Sequence, residues 1–391
     1  MYDPLYRRLD EYTRQTGWQV DVADRLPHPA LNARIAEEFG GGTARYDLIS
    51  THTKYAPSQQ RWLTPLDDDL GVAELAEFYP QVLNLARIDG VLFGVPRNLD
   101  VKLLHYRTDL LSDPTEGAAF EARVGRPLRV PQTWPEFHDI ALHFARGPDL
   151  YGVAFPGRES GLFGHFFELQ AMAGGRLFTE HLEPAFEDQA GRWALGLLVE
   201  LYQHKAAPPE TPEWHYDEVA ACFRGGRAAM TTDWPGGFYT YVDSALSTVA
   251  DRFDVALYPM GISGRRVYAG SHTFAIPTTA RDRSAAVALL RFLISADSQL
   301  VEARLGSLPT RRAVLARVRG ESPPGSIQAR RWGLLEETSA AALFPPSHAR
   351  YPLMEDALWR AARRALLGES TVEEALAEAA ARIRQIAAGT A

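Results

Sequence analysis

The apolar positions of the first fifty residues change period from element to element. Leu5, Leu9 and Tyr12 fall on one helical face, and Gly17 follows as a terminator. Trp18-Gln-Val-Asp-Val22 alternates apolar with polar, which predicts a strand. Leu31, Ile35 and Phe39 recur every fourth residue up to Gly40-Gly41-Gly42, which predicts a second helix. Tyr46-Asp-Leu-Ile-Ser50 reads as a short buried strand running into polar Thr51-His52-Thr53-Lys54-Tyr55. Strands alternating with helices predict a largely parallel sheet. Ligands of such sheets gather beyond the carboxyl ends of strands, so 51–55 is a candidate site by position alone.

Farther along, Asp89-Gly90 marks a turn, with short strands expected at 91–95 and 101–106. Residues 112–131, rich in Pro, Gly and charge, are expected to be loose and are a candidate link between lobes. Thr133-Trp-Pro-Glu136 is a capping box with proline in the first turn, predicting a helix to about Arg146. Helices are also predicted over 191–204, 281–305, 328–341, 353–367 and 371–387, with a loop at 206–213, a strand ending at 274–277 and a second loose stretch at 319–326. No repeat at a fixed period and no low-complexity tract is visible.

A length of 391 residues predicts two or three domains. The net charge of −8, with no basic stripe, disfavours nucleic acid as a partner. The lone Cys222 rules out an internal disulfide and a multi-cysteine metal site. Apolar runs are short and interrupted by charge. No signal peptide is visible, since Met1-Tyr2-Asp3-Pro4 leads directly into a helical pattern.

Chemistry-bearing motifs are mostly missing. No phosphate loop, dinucleotide fingerprint or H-E-x-x-H occurs. Gly261-Ile-Ser-Gly264 is one residue short of a nucleophile elbow and reads better as a turn. His138 and His143 stand five apart, on different faces of a helix, so no joint metal site is expected. Asp67-Asp68-Asp69 is expected to cap a helix beginning near Leu70. No catalytic residue, cofactor or metal is therefore expected. What the chain offers instead is aromatic and polar residues beside Gly and Pro, as in Asp233-Trp234-Pro-Gly-Gly-Phe238-Tyr239 and Tyr268-Ala-Gly-Ser-His272. Sugar rings present apolar C–H faces to aromatic rings and hydroxyls to planar polar groups, so such segments suit a carbohydrate. A lone Trp is also a common core residue.

Several blocks, in order, resemble the extracellular solute-binding proteins of ABC importers, the carbohydrate-type family that includes maltose-binding protein. Asp89-Gly-Val-Leu-Phe-Gly-Val-Pro-Arg-Asn98 with Leu104-His-Tyr-Arg-Thr-Asp109 is similar to the family's first crossing region. Val130-Pro-Gln-Thr-Trp-Pro-Glu-Phe137, Tyr151-Gly-Val-Ala-Phe155 and Gly174-Gly-Arg-Leu-Phe178 resemble three blocks of the second lobe. Phe223-Arg-Gly-Gly-Arg-Ala-Ala-Met230, followed by Trp234, resembles the strand carrying a ligand-stacking aromatic. Gly270-Ser271, Ala275-Ile-Pro277, the stretch 286–299 and Leu308-Pro-Thr310 resemble the return into the first lobe, and Leu367-Gly-Glu-Ser-Thr-Val-Glu-Glu-Ala375 the closing helix.

The resemblance implies an α/β fold of two lobes, the type II periplasmic-binding-protein-like fold. Each lobe would be a mixed, mostly parallel sheet flanked by helices, with the ligand cleft between lobes. The first lobe would comprise 1–108 with 267–318, and the second 109–266 with 319–391. Family members begin with a secretion signal and an interior strand ahead of the first helix, so the expectation is that this sequence starts downstream of the natural start. It implies a non-enzymatic, monomeric binding subunit in the periplasm or at the cell surface. That subunit would close on a sugar or polyol and deliver it to membrane permease subunits. Ligand contacts are expected from His52, Lys54 and Tyr55, or else that segment is a solvated loop. Arg97, Asn98 and Asp100 are expected at the crossing, with a hinge salt bridge as the alternative. Trp234 is expected as the stacking platform, Tyr239 as a weaker one or core, and Gly270, Ser271 and His272 as donors from the returning segment. Arg158 and His165 are further second-lobe candidates, while Trp62 and Trp134 are assigned to packing. The rival reading is a glycoside hydrolase or lyase acting on a similar sugar, and a third is a module that binds a partner protein.

Overall fold

A computed structural model describes residues 3–26 and 28–389. The chain separates into two compact units. Unit 1 comprises 1–100, 269–324 and 345–351, and unit 2 comprises 101–268, 325–344 and 352–391. Residues 101–108, expected with the first lobe, lie in unit 2, where the strand Leu103–Arg107 hydrogen-bonds two neighbours of that unit.

In unit 1, helix Asp3–Thr16 ends where Gly17 takes φ +78° and its N–H reaches the Thr13 carbonyl, a left-handed position that glycine adopts without penalty. Strand Ile49–His52 pairs antiparallel with His272–Ala275, which pairs antiparallel with Val95–Pro96. Ile49–His52 is therefore the edge of this sheet. Helices Asp3–Thr16 and Arg283–Leu293 pack together, and the Tyr12 ring lies 5.1 Å from Phe292. Ile35, Phe39, Ile49 and Leu63 form a second core under helix His28–Gly40.

The expected strand at 18–22 is not a strand. Its alternation is present, but a strand exists only when a neighbour takes its backbone groups, and this segment has no sheet partner among the described residues. Trp18, Val22 and Leu26 are exposed. Between this segment, the edge strand and the helices Asp3–Thr16, His28–Gly40 and Arg283–Leu293 lies a largely apolar cavity of about 670 Å³.

Unit 2 holds a four-stranded sheet in the order Tyr151–Ala154, Ala228–Asp233, Leu103–Arg107, Phe253–Ala256. The first pair is parallel and the others antiparallel. The α/β class holds, but antiparallel pairs outnumber parallel ones among the described strands. The expectation of mostly parallel sheets followed the helix–strand alternation of the first residues, whereas His272–Ala275 and Leu103–Arg107 run against the strands beside them. Helix Glu159–Met172, buried along most of its length, packs against helix Gln189–Gln203.

Other expectations shift for local reasons. Residues 112–131 contain helix Pro114–Val124, because the Asp113 carboxylate accepts from the N–H groups of Thr115 and Glu116 and Phe120 is buried. The stretch 281–305 is two helices, Arg283–Leu293 and Ala296–Ala303, since Ser295 starts a new cap. Asp67 and Asp69 cap nothing. Asp67 accepts from Arg87 and the Leu92 N–H, and Asp69 pairs with Arg283. Asp89-Gly90 turns between Arg87–Ile88 and Val91–Leu92. No single helix among the described residues is long and apolar enough to cross a membrane.

Candidate ligand-binding site

In unit 2 the strand Ala228–Asp233 is buried along its whole length, and its carboxyl end delivers Trp234. The indole is half-buried. The Trp234 N–H donates to Asp233 Oδ1 at 2.7 Å, and the Tyr241 hydroxyl donates to Asp233 Oδ2. Burial pushes the Asp233 carboxyl up to about 6. The turn after Trp234 is fixed from the other side by Arg331, whose guanidinium donates to the Pro235 carbonyl at 2.6 Å and stacks 4.7 Å over Phe238.

The indole has three neighbours. Tyr216 meets it edge-on at 5.4 Å, Tyr268 does so at 6.0 Å, and Lys102 Nζ stands 5.3 Å over the ring. Lys102 is fully buried and pairs with Glu168 at 2.8 Å. The patch continues from Tyr216 to His215, whose rings lie 4.8 Å apart, and on to Arg158, whose charge lowers the His215 pKa after burial has done so. Arg158 Nε and His215 Nε2 are buried polar atoms without a hydrogen-bond partner. A buried polar atom of this kind is open to a hydrogen bond from water or a bound group. Beside them Glu159 takes φ +52°, a strained value for a non-glycine residue, at the start of helix Glu159–Met172.

Two candidates of unit 2 fall outside this patch. His165 is 3% exposed, and its Nδ1 faces Glu168 Oε1 at 2.9 Å, so it supports the interior. Tyr239 packs on Phe238 at 6.2 Å. Trp134 is buried against Phe137 and Tyr258, as a packing residue is.

In unit 1 the strand pairing places His52 directly across from His272, with rings 5.3 Å apart and edge-on. The Lys54 N–H donates to His52 Nδ1 at 3.1 Å, and Lys54 Nζ lies 5.1 Å over Tyr55. A Cβ at Gly270 would stand 2.3 Å from His52 Nε2, so only glycine allows this imidazole to sit where it does. The Ser271 hydroxyl donates to the Asn98 carbonyl at 2.6 Å, and the His272 N–H to Asn98 Oδ1 at 3.1 Å. Asn98 Nδ2 donates to Asp100 Oδ1 at 2.9 Å, and His272 Nε2 is 3.7 Å from Asp100 Oδ2. Burial pushes the Asp100 carboxyl up to about 7, against the Asn98 hydrogen bond and the Arg97 charge. Burial, Arg97 and Lys54 hold His272 neutral, down at about 3. Eight of the nine unit 1 candidates thus stand in one cluster of amide, imidazole, ammonium and carboxyl groups. The ninth, Arg97, binds Glu302 in a buried salt bridge within unit 1.

Sequence reasoning passed over Lys102, Glu168, His215 and Tyr216. A trace existed for two of them. Lys102 is a charge in the run Val101-Lys-Leu-Leu104, and Glu168 is one in Phe166-Phe-Glu-Leu169. A charge inside an apolar run needs a buried partner, but the run does not say which. Among the described residues no group of three or more metal-ligating side chains occurs.

Comparison with known proteins returns the same family for most of the chain. Residues 3–300 match the family model of the bacterial extracellular solute-binding protein. A probable ABC transporter-binding protein of Deinococcus radiodurans is 23% identical over 311 residues, which cover 76% of this chain and 70% of the relative. A mannitol-binding protein of Pseudomonas aeruginosa is 25% identical over 294 residues, covering 72% of this chain and 64% of the relative, or just under two thirds of its length. The structure of maltose-bound MalE3 of T. maritima superposes with a TM-score of 0.84 over 98% of this chain and 95% of that one, at 24% identity.

Proposed function

The chain belongs to the bacterial extracellular solute-binding protein family, and from that premise we propose that it binds a polyol or small carbohydrate for an ABC importer. The observation that carries the reading is the patch of unit 2. A half-exposed indole, held in place at its backbone and edges, lies in one series with Arg158 and His215, whose buried nitrogens lack partners. An indole face suits the C–H groups of a sugar or polyol, and unpartnered donors suit its hydroxyls.

The cluster of unit 1 is the second half of the proposal. The neutral His272 imidazole, an amide and a carboxyl that burial brings to about 7 can both donate to and accept from hydroxyls. This composition suits the hydroxyls of a sugar or polyol. The Arg97 guanidinium, which would recognise a carboxylate, is already engaged by Glu302. A solute that contacts both groups would favour a closed arrangement by its differential affinity for it, and the closed form would be the one a permease recognises. The mannitol-binding relative supports a polyol as the first ligand to try.

Hydrolysis is the rival. It needs a positioned carboxylate pair. Asp100 and Asp233 are bonded within their own units to Asn98 and to Tyr241 and Trp234, Glu168 is held by Lys102 and Tyr258, and Glu302 by Arg97. A thermal-shift panel of D-mannitol, ribitol, maltose and D-gluconate tests the proposal, because a ligand of the native state raises Tm by mass action. A rise with a neutral polyol or sugar, recovered unchanged afterwards, is expected. A rise with gluconate alone, or a cleaved sugar, overturns it.

A further inference from the structure

Glu168 lies at the centre of unit 2 with no exposed surface. Its carboxylate is surrounded by four groups. Lys102 Nζ donates to Oε1 at 2.8 Å and the Tyr258 hydroxyl donates to the same oxygen. The Tyr268 backbone N–H donates to Oε2 at 3.0 Å, and His165 Nδ1 stands 2.9 Å from Oε1. Two of these four, Lys102 and Tyr268, touch the indole of Trp234. A third, the Tyr258 hydroxyl, lies 3.3 Å from the Thr232 hydroxyl, on the strand that ends at Trp234.

The helix bearing Glu168 is shaped to the same end. A Cβ at Gly164 would stand 2.6 Å from Tyr268 Cδ1, so glycine there lets the Tyr268 ring lie against the helix. Lys102 and Tyr268 also bracket the first segment of unit 2, 101–268, as its second and last residues.

An ion pair withdrawn from water is poor value as a stabilising contact, because apolar residues of similar volume hold a core as well or better. Its presence under a half-buried aromatic calls for another reason. We propose that Glu168 is a positioning residue for the binding face: by holding Lys102 and Tyr268 it sets the orientation of the Trp234 indole. Glu168 acts through these neighbours and does not touch the solute. The inference rests on Trp234 being the platform proposed above, but its test has a readout that needs no ligand.

The experiment uses the full chain with Glu168→Gln, Lys102→Met and the pair of changes together. In each background Trp234→Phe isolates the Trp234 emission as a difference spectrum, and affinity is measured with D-mannitol and maltose as probes. Each single change leaves a polar group without its charged partner, so thermal stability falls. The pair, neutral at both positions, recovers most of it. The Trp234 emission and near-ultraviolet dichroism are expected to be altered in Glu168→Gln, which keeps the ammonium under the ring, and to differ between the pair and Lys102→Met, with affinity down on the order of tenfold. Should Glu168→Gln prevent folding, the comparison of the pair with Lys102→Met decides. A Trp234 spectrum unaltered in Glu168→Gln, or the same in the pair as in Lys102→Met, overturns the positioning role. If neither probe binds the wild-type chain, the solute reading loses its support while the spectrum still judges Glu168.

Discussion

The centre of unit 2 and the amino-terminal layer of unit 1 meet the same demand in opposite ways. Around Glu168, four polar groups meet one carboxylate and the side chains involved are buried. At 18–26, the backbone has no sheet partner, Trp18, Val22 and Leu26 are exposed, and a cavity of about 670 Å³ separates the segment from the edge strand Ile49–His52. Folding has satisfied the polar groups within the unit in one place and left a strand-like segment without ladder bonds in the other. Stability is accordingly expected to be uneven, the first region opening with the whole unit and the second at lower cost.

The largest effect that would break this comparison is expected from Glu168→Ala. It leaves Lys102 buried without its partner and removes the acceptor of the Tyr258 hydroxyl and the Tyr268 N–H. A loss of about 3–5 kcal/mol is expected in urea denaturation. A loss under about 1 kcal/mol would mean that the pair is solvated and the contrast between regions is wrong.

Next in size is a pH effect. Burial raises the Asp100 carboxyl from 3.8 to about 7, so the folded chain holds this proton where the unfolded chain has lost it. Its contribution to stability is greatest below the unfolded value and declines as pH rises from about 4 to about 7, by up to about 1.4 kcal/mol per pH unit. Asp233, raised to about 6, adds a decline of the same sign. Denaturation of Asp100→Asn at pH 5 and pH 7 should show a shallower decline than the wild type. An identical slope would show that Asp100 titrates as if exposed.

The cavity predicts a change in the favourable direction. Ala285 lines it from helix Arg283–Leu293, and leucine there has room to be buried. Ala285→Leu is expected to add about 0.5–2 kcal/mol, whereas a destabilised protein would show the space to be smaller than the structure gives. The smallest effect is expected at Trp18, which is 56% exposed. Trp18→Ser should change stability by no more than about 0.5 kcal/mol. The same truncation at a buried indole such as Trp134 would cost several times that.

The two regions also explain what the sequence disclosed. Features governed by neighbours in the chain were legible: the Gly17 terminator, the Thr133 cap on helix Trp134–His143, and the closing helix Val372–Ala388. Trp234 stood out as the proposed platform because Pro and Gly follow it directly. Strand 18–22 was misread because alternation reports a face and says nothing of whether a neighbour is present. Helix Glu159–Met172 gave no periodic signal, being apolar on every side. The Lys102–Glu168 pair joins residues 66 apart, and Tyr268 lies 100 from Glu168, so no local rule could assemble that centre.

Calorimetric titration of the wild-type chain and of Trp234→Ala with the polyol or sugar that gives the greatest thermal shift tests the central claim most directly. Binding is expected to weaken by on the order of a hundredfold in the variant, as for an aromatic hot spot, while the Tm of the ligand-free protein stays close to wild type. Equal affinity in the two proteins would contradict the account.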